Sequence, residues 1–297
     1  MSLEELEAER QKTLFTIGIL FSLSGVFLLI ALGGQLWGLI LGTILAALAL
    51  ERISNFQTKA KQALVAPLAE TLGFRYWADR GFSQEETLTS GLFSHPDSYK
   101  AEDLVEGEVN GIPFTSSDIT LYRKVEHEVD GKKKEYYQVL FGGVLYRFRL
   151  PFTVEKEVRF GPRGTGKGAY TNKKLERVVL ESPEFKRFFD VYGEDQVKAR
   201  KLLTPRVQEA LVSLRRRLGK PIRGTVRERY LWLAVEGRDR FPKPPLLRPV
   251  AQTFEEWKSR YQEDLSEVSQ VVEVLRLEEE ARRKGIFLEG KGPSSFG

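Results

Sequence analysis

From Leu14 to Leu50 the chain runs for 37 residues without a charged side chain, and no other stretch restricts its fold so strongly. One helix of that length, rising about 1.5 Å per residue, would reach roughly 55 Å, well beyond the ~30 Å hydrocarbon core of a bilayer. The run therefore has to fold back on itself. Gly33-Gly34-Gln35 supplies the place, two helix-weakening glycines followed by an amide. The reading is a transmembrane helical hairpin of residues 14–32 and 36–50. Arg10 and Lys12 precede it, and Arg52, Lys59 and Lys61 follow. Positive charge on both flanks predicts both termini in the cytoplasm and the glycine tip outside, with Trp37 at the interface. A signal peptide is the rival, since Ala47-Leu48-Ala49 resembles a cleavage site. The length of the run and its acidic leader argue against it.

Through Glu51 the chain carries two basic and five acidic residues; the totals are 46 and 41, so the remainder holds 44 and 36, a net charge of +8. Such a balance suits an anionic partner, a membrane face or nucleic acid, and the hairpin favours the membrane. There is no cysteine, which removes disulfides, thiolate catalysis and thiolate metal sites. With only His95 and His127, imidazole metal sites are poorly supported. No metal or other cofactor is expected.

The leader, residues 1–12, opens with Ser2 and Glu5 at capping-box spacing, predicting a short amphipathic helix into the membrane. After the hairpin, Ile53, Phe56, Ala60, Leu64 and Leu68 recur at helical period, with Pro67 able to kink the element. A short strand at residues 74–77 and a helix capped by Ser83 and Glu86 come next. From Asp103 to Leu150 the period becomes two, broken at Asn110-Gly111 and Asp130-Gly131, which predicts an antiparallel meander. Gly142-Gly143 reads as a bulge in its last strand.

The string Gly161-Pro-Arg-Gly-Thr-Gly166-Lys167-Gly168 has the spacing of a phosphate loop, but Gly168 stands where magnesium-binding Ser or Thr is needed. Residues 175–180 after it read as a strand, whereas a nucleotide loop opens directly into a helix. A basic loop is the better reading. Then Ser182-Pro183, Asp195 and Thr204-Pro205 each mark a helix start, and Gly219 ends the last of these helices. Residues 221–227 and 230–236 suggest a final pair of strands. The proline-rich residues 241–249 read as a linker or an edge-covering segment. Thr253 and Glu256 would cap a long helix with Phe254, Trp257, Tyr261, Leu265, Val268, Val272 and Leu275 on one stripe, closing at Arg282-Arg283-Lys284-Gly285. Residues 286–297 read as a loose tail.

The string Phe189-Asp-Val-Tyr-Gly-Glu-Asp-Gln-Val-Lys-Ala-Arg-Lys-Leu-Leu-Thr-Pro205 resembles the signature of a bacterial membrane family called domain of unknown function 3137. Ser90-Gly-Leu-Phe93, Glu102-Asp103 with Gly107, Phe141-Gly-Gly-Val-Leu145 and Glu181-Ser-Pro-Glu-Phe185 resemble its other landmarks, in order. The resemblance implies a two-helix anchor followed by a cytoplasmic α+β domain. It implies no known activity. A LemA-type membrane protein is the partner it suggests. The positions matching the signature are Tyr192, Asp195, Gln196 and Arg200, either knitting a turn, with Arg200 paired to Glu194 or Asp195, or forming an interaction site.

The fold class expected is α+β: an N-terminal transmembrane hairpin (13–51), a cytoplasmic domain with a mainly antiparallel sheet and packed helices (52–250), and a C-terminal amphipathic helix (251–285). The functional expectation is a non-enzymatic membrane scaffold able to bind another protein or a second copy. Arg206, Arg215, Arg216, Arg217, Arg223, Arg227 and Arg229 are its candidate anionic-lipid contacts. An enzyme or ligand-binding domain acting on a lipid or nucleotide through residues 192–200 or Lys167 is the alternative. Nucleic-acid binding lacks both an aromatic strand face and a recognition helix.

Overall fold

The computed structural model describes residues 2–109, 111–129, 132–166, 174–237 and 240–272. They form two compact units, one of residues 1–72 with 241–263, the other of residues 73–240 with 264 onward.

In the first unit, helices α1 (Leu3–Leu32) and α2 (Leu36–Thr71) meet at the Gly33-Gly34 turn. The Ser2 hydroxyl accepts from the Glu5 amide and the Glu5 carboxylate from the Ser2 amide, completing the expected capping box. The leader and first apolar segment are one helix, and α2 runs through Pro67 to Thr71. Gly38 and Gly42, four apart on α2, let the two backbones approach: a Cβ on Gly38 would lie 2.5 Å from the Phe27 carbonyl oxygen. The Ser24 hydroxyl donates to the Gly42 carbonyl at 2.8 Å, so the one buried hydroxyl of this seam is satisfied. Both helices are long and apolar enough to cross a membrane, and most of their apolar surface faces outward.

Helix α7 (Val250–Val272) starts three residues before Thr253, so the expected cap is not what begins it. Its first amide instead donates to the Glu7 carboxylate at 2.9 Å. Glu7 also takes the Arg10 guanidinium at 2.6 Å, and Arg10 Nη1 donates to the Leu246 carbonyl at 3.0 Å. Tyr261 is fully buried against Phe241, with its hydroxyl on the Pro242 carbonyl at 2.8 Å. The hydrogen bonds from Arg10, with the Val250 amide adding to them, hold the Glu7 carboxyl down to about 2 from its ordinary 4.5. A depressed carboxyl stabilises the folded state above its unfolded value and ceases to do so as pH falls through the folded one. Amide exchange at Val250 is therefore expected to accelerate between pH 4.5 and 2, and Glu7→Gln to flatten that dependence. Solvent screening of this partly exposed pair limits the effect to about 1–2 kcal/mol.

The second unit is built on an antiparallel sheet. Its path is β1 (Arg75–Trp77), β2 (Ser98–Val109), β3 (Ile112–Val129), β4 (Lys132–Pro162), β6 (Phe189–Gly193) and β5 (Glu176–Val178); β7 (Ile222–Glu236) pairs with β4. Between them lie α3 (Gln84–Thr89), α4 (Pro183–Phe188), α5 (Gln196–Leu202) and α6 (Pro205–Leu218). Strand β4 is the axis. Its first part pairs with β3 on one edge and, from Gly143, with β7 on the other; its last five residues exchange β3 for β6, and three of them, Val158, Arg159 and Phe160, keep β7. One face packs Phe82, Leu92 and Phe93 against Ile119, Leu121, Phe141, Leu145, Trp232 and Ala234.

Three local expectations change. The β3–β4 register slips between Leu121 and Tyr122, so Leu140 is the extra residue, while Gly142 and Gly143 pair regularly with Thr120 and Ile119. Gly143 is needed for a close approach: a Cβ there would strike the Val235 carbonyl oxygen of β7. The expected final pair of strands is the single strand β7, bent near Glu228 at φ +53, where its register against β4 also shifts. Residues 189–193, absent from the expected elements, form strand β6. Residues 110, 130 and 131 of the two hairpin turns, Lys167 and Gly168, and the end of the C-terminal helix with its tail lie outside the described residues.

Candidate functional site

The signature string builds one continuous corner: β6, the Asp195 turn, α5, and Thr204-Pro205 opening α6. Asp195 Oδ1 accepts from the Val197 and Lys198 amides at 2.8 and 3.0 Å. Those bonds, the Lys198 amide first, hold its carboxyl below the usual range. Lys198 Nζ reaches Glu155 at 2.5 Å, fastening α5 to β4. The Thr204 hydroxyl caps α6 by accepting from the Val207 amide at 3.4 Å, and Gly219 closes it in the left-handed conformation.

Two further signature residues hold the start of the phosphate-loop-like string. The Tyr192 hydroxyl donates to the Thr165 carbonyl at 3.0 Å, and the Asp190 carboxylate accepts from the Gly164 amide at 2.8 Å and from Arg177 at 3.0 Å. A phosphate loop works by presenting unpaired backbone amides to the anion. Here a protein carboxylate occupies the Gly164 amide, and the string emerges from β4 as a turn.

Gln196 and Arg200 lie one helical turn apart on the exposed side of α5, Nη2 to Oε1 at 3.4 Å. Arg200 thus meets Gln196 where Glu194 or Asp195 was expected. It also lines a groove of about 920 Å³ in which both landmark strings converge: residues 179–183 and Lys186 on one side, Arg200, Leu203, Pro205 and Gln208 on the other. Gln208 is 5% exposed. Its Nε2 donates to the Leu203 carbonyl at 2.7 Å, which fixes the amide orientation and leaves Oε1 without a donor. Gln208 follows Val207 and lies three residues before Leu211 on α6, and this polar interruption of an apolar face was its signal in the sequence.

The seven arginines lie on two elements, Arg206 and Arg215–Arg217 on α6, Arg223, Arg227 and Arg229 on β7. Arg216 pairs with Glu184, Arg223 with Glu236 at 3.0 Å and Arg227 with Glu228 at 3.3 Å. Arg215 and Arg216 lie over the Phe188 ring at 5.8 Å, and Arg229 Nε is 3.3 Å from the Thr153 hydroxyl. Local positive charge is accordingly smaller than the count suggests.

The remaining landmarks hold buried polar centres. Arg159, 1% exposed, binds Glu157 and the Gly91 carbonyl, and Gly91, at φ +67, leaves room for its guanidinium. Arg240, also 1% exposed, faces Asp118 at 3.3 Å, donates to the Ser116 hydroxyl at 2.9 Å and the Asp103 carbonyl at 3.0 Å, and lies over the Tyr146 ring. The Asp103 carboxylate takes the Tyr76 hydroxyl at 2.5 Å. Among the described residues no group of three metal-ligating side chains comes together.

Residues 139–277 match the model of a family described as a protein of unknown function, DUF3137, the family that the signature string resembles. No curated protein matches the chain. Among solved structures it is similar to the crystal structure of the mycobacterial trehalose monomycolate transport factor A, TtfA, at 12% identity and a TM-score of 0.39, over 74% of this chain and 95% of that one.

Proposed function

We propose that this chain is a non-enzymatic scaffold, with a hairpin anchored in the cytoplasmic membrane, both termini in the cytoplasm, and a basic α+β domain that binds another protein. A LemA-type membrane protein and a second copy of the chain are the partners proposed, and nucleic acid has no part. The observation that carries the reading is the outward apolar surface of the hairpin. Phe15, Leu32 and Leu36 are 74%, 84% and 78% exposed, and Leu29, Ile40 and Leu50 stand out likewise. Such a surface is stable in lipid and costly in water. The absence of catalysis is supported by what the candidate carboxylates do. Asp195 caps a helix, Asp190 ties a turn, and Glu157, Asp103 and Asp118 serve buried pairs. The arginines on α6 and β7 would add a salt-sensitive attraction to anionic lipid.

Because the chain has no cysteine, single introduced cysteines report single positions. Gln35→Cys is expected to react with a membrane-impermeant maleimide on intact cells, and Lys201→Cys only after permeabilisation. Alkaline carbonate should leave the chain in the membrane pellet. Reaction of Lys201→Cys on intact cells, or extraction without detergent, overturns the anchor. Cross-linking and pull-down of the full-length chain is expected to yield a stoichiometric protein companion.

A further inference from the structure

We propose that the groove between the β5–α4 connection and the α5–α6 corner binds an extended peptide that presents an apolar side chain and a free carboxylate. This rests on the reading of the chain as an interaction protein, and names the place and chemistry of the contact. The volume of about 920 Å³ is that of a ligand cleft rather than a packing defect. Two cations, Lys186 and Arg200, line it against one carboxylate, Glu181, so the occupant carries negative charge. Among the described residues Arg200 has only a long contact to the Gln196 amide to give up.

The lining narrows the chemistry further. The apolar lining consists of short side chains, among them Leu180, Leu203 and the two prolines Pro183 and Pro205, a bed for one or two amino-acid side chains and not for a long acyl chain. The groove also begins directly after β5, the edge strand of the sheet, where Val179 is 60% exposed. An edge strand beside a pocket offers backbone pairing for affinity and a side-chain bed for selectivity.

The test uses the full chain in lipid nanodiscs. The probes are a pool of acetylated hexapeptides with two apolar central residues and a free C-terminal carboxylate, the same pool amidated at that end, and dodecyl phosphate. The free-carboxylate pool is expected to slow hydrogen exchange in residues 176–182 and 200–208. The amidated pool should bind about tenfold more weakly, the scale of one lost ion pair. Lys186→Gln with Arg200→Gln, both exposed positions, should lose this binding with the melting temperature unchanged. Absence of protection by the carboxylate pool, protection that survives the double substitution, or tighter protection by dodecyl phosphate overturns the proposal. A companion recovered in the pull-down while the peptides fail would sink the groove and leave the scaffold standing.

Discussion

Arg240→Ala is expected to lower the unfolding free energy of the sheet unit by about 3–5 kcal/mol, the cost of leaving a buried charge without its partner. The guanidinium serves three elements at once: Asp118 and Ser116 on β3, the Asp103 carbonyl on β2, and the Tyr146 ring on β4 at 5.8 Å. Its own backbone amide also donates to Asp118 at 2.6 Å. Removing the side chain takes the counter-charge from the Asp118 carboxylate, 7% exposed, which keeps the backbone amide, and opens a cavity beside Tyr146. Urea unfolding followed by tryptophan fluorescence reads the loss. Pairing Arg240→Met with Asp118→Asn should recover part of it, because the side-chain amide still accepts from the residue 240 backbone N–H and neither position then carries a buried charge. A loss below about 1 kcal/mol for the alanine variant would mean that the pair is not a central fastening.

Adjacent glycines in β4 should behave in opposite ways. Gly143→Ala puts a methyl group onto the Val235 carbonyl oxygen and within 3.0 Å of the Glu236 Cα, both backbone atoms of the paired strand that no rotamer change can move. Either β7 shifts away from β4 or the sheet opens, with an expected cost of about 2–4 kcal/mol. Gly142→Ala meets nothing nearer than the Val139 side chain at 3.8 Å and should stay within about 0.5 kcal/mol of the parent. The same urea titration measures both. A loss for Gly143→Ala no larger than that for Gly142→Ala would show that the approach of β7 does not require glycine there.

The contrast between these glycines shows what could be read in advance. A diglycine inside a strand signals an irregularity, but which residue bulges depends on a neighbour 93 positions away for Gly143, since its partner is Glu236. Local chemistry was legible. Ser2 with Glu5, Ser83 with Glu86, Ser182-Pro183, Asp195 and Thr204-Pro205 all begin helices where their spacing says, because a cap is made within three residues. Residues 189–193 were not, since Phe185, Phe188 and Phe189 mimic a helical face. Pairing with both β4 and β5 makes a strand of that stretch. The start of α7 was hidden for the same reason, set by Glu7, 243 residues upstream. Of the candidate site, Asp195 and Arg200 could be singled out from the string. Gln208 showed only as a polar break in the apolar face of α6, and Arg240 not at all, because a buried cation is defined by what surrounds it.

Helix α2 carries a consequence of its own. Its uncharged part ends at Leu50, and residues 51–71 continue the same helix for about 30 Å more. The field of an anionic bilayer fades over roughly 8 Å at physiological ionic strength. Arg52 would sit within that layer; Lys59, already held by Glu9 at 2.6 Å, lies a further two turns along. On the proposed membrane reading the helix would be a ruler as much as an anchor, sorting its own charges into those that sense the lipid surface and those that answer only to protein.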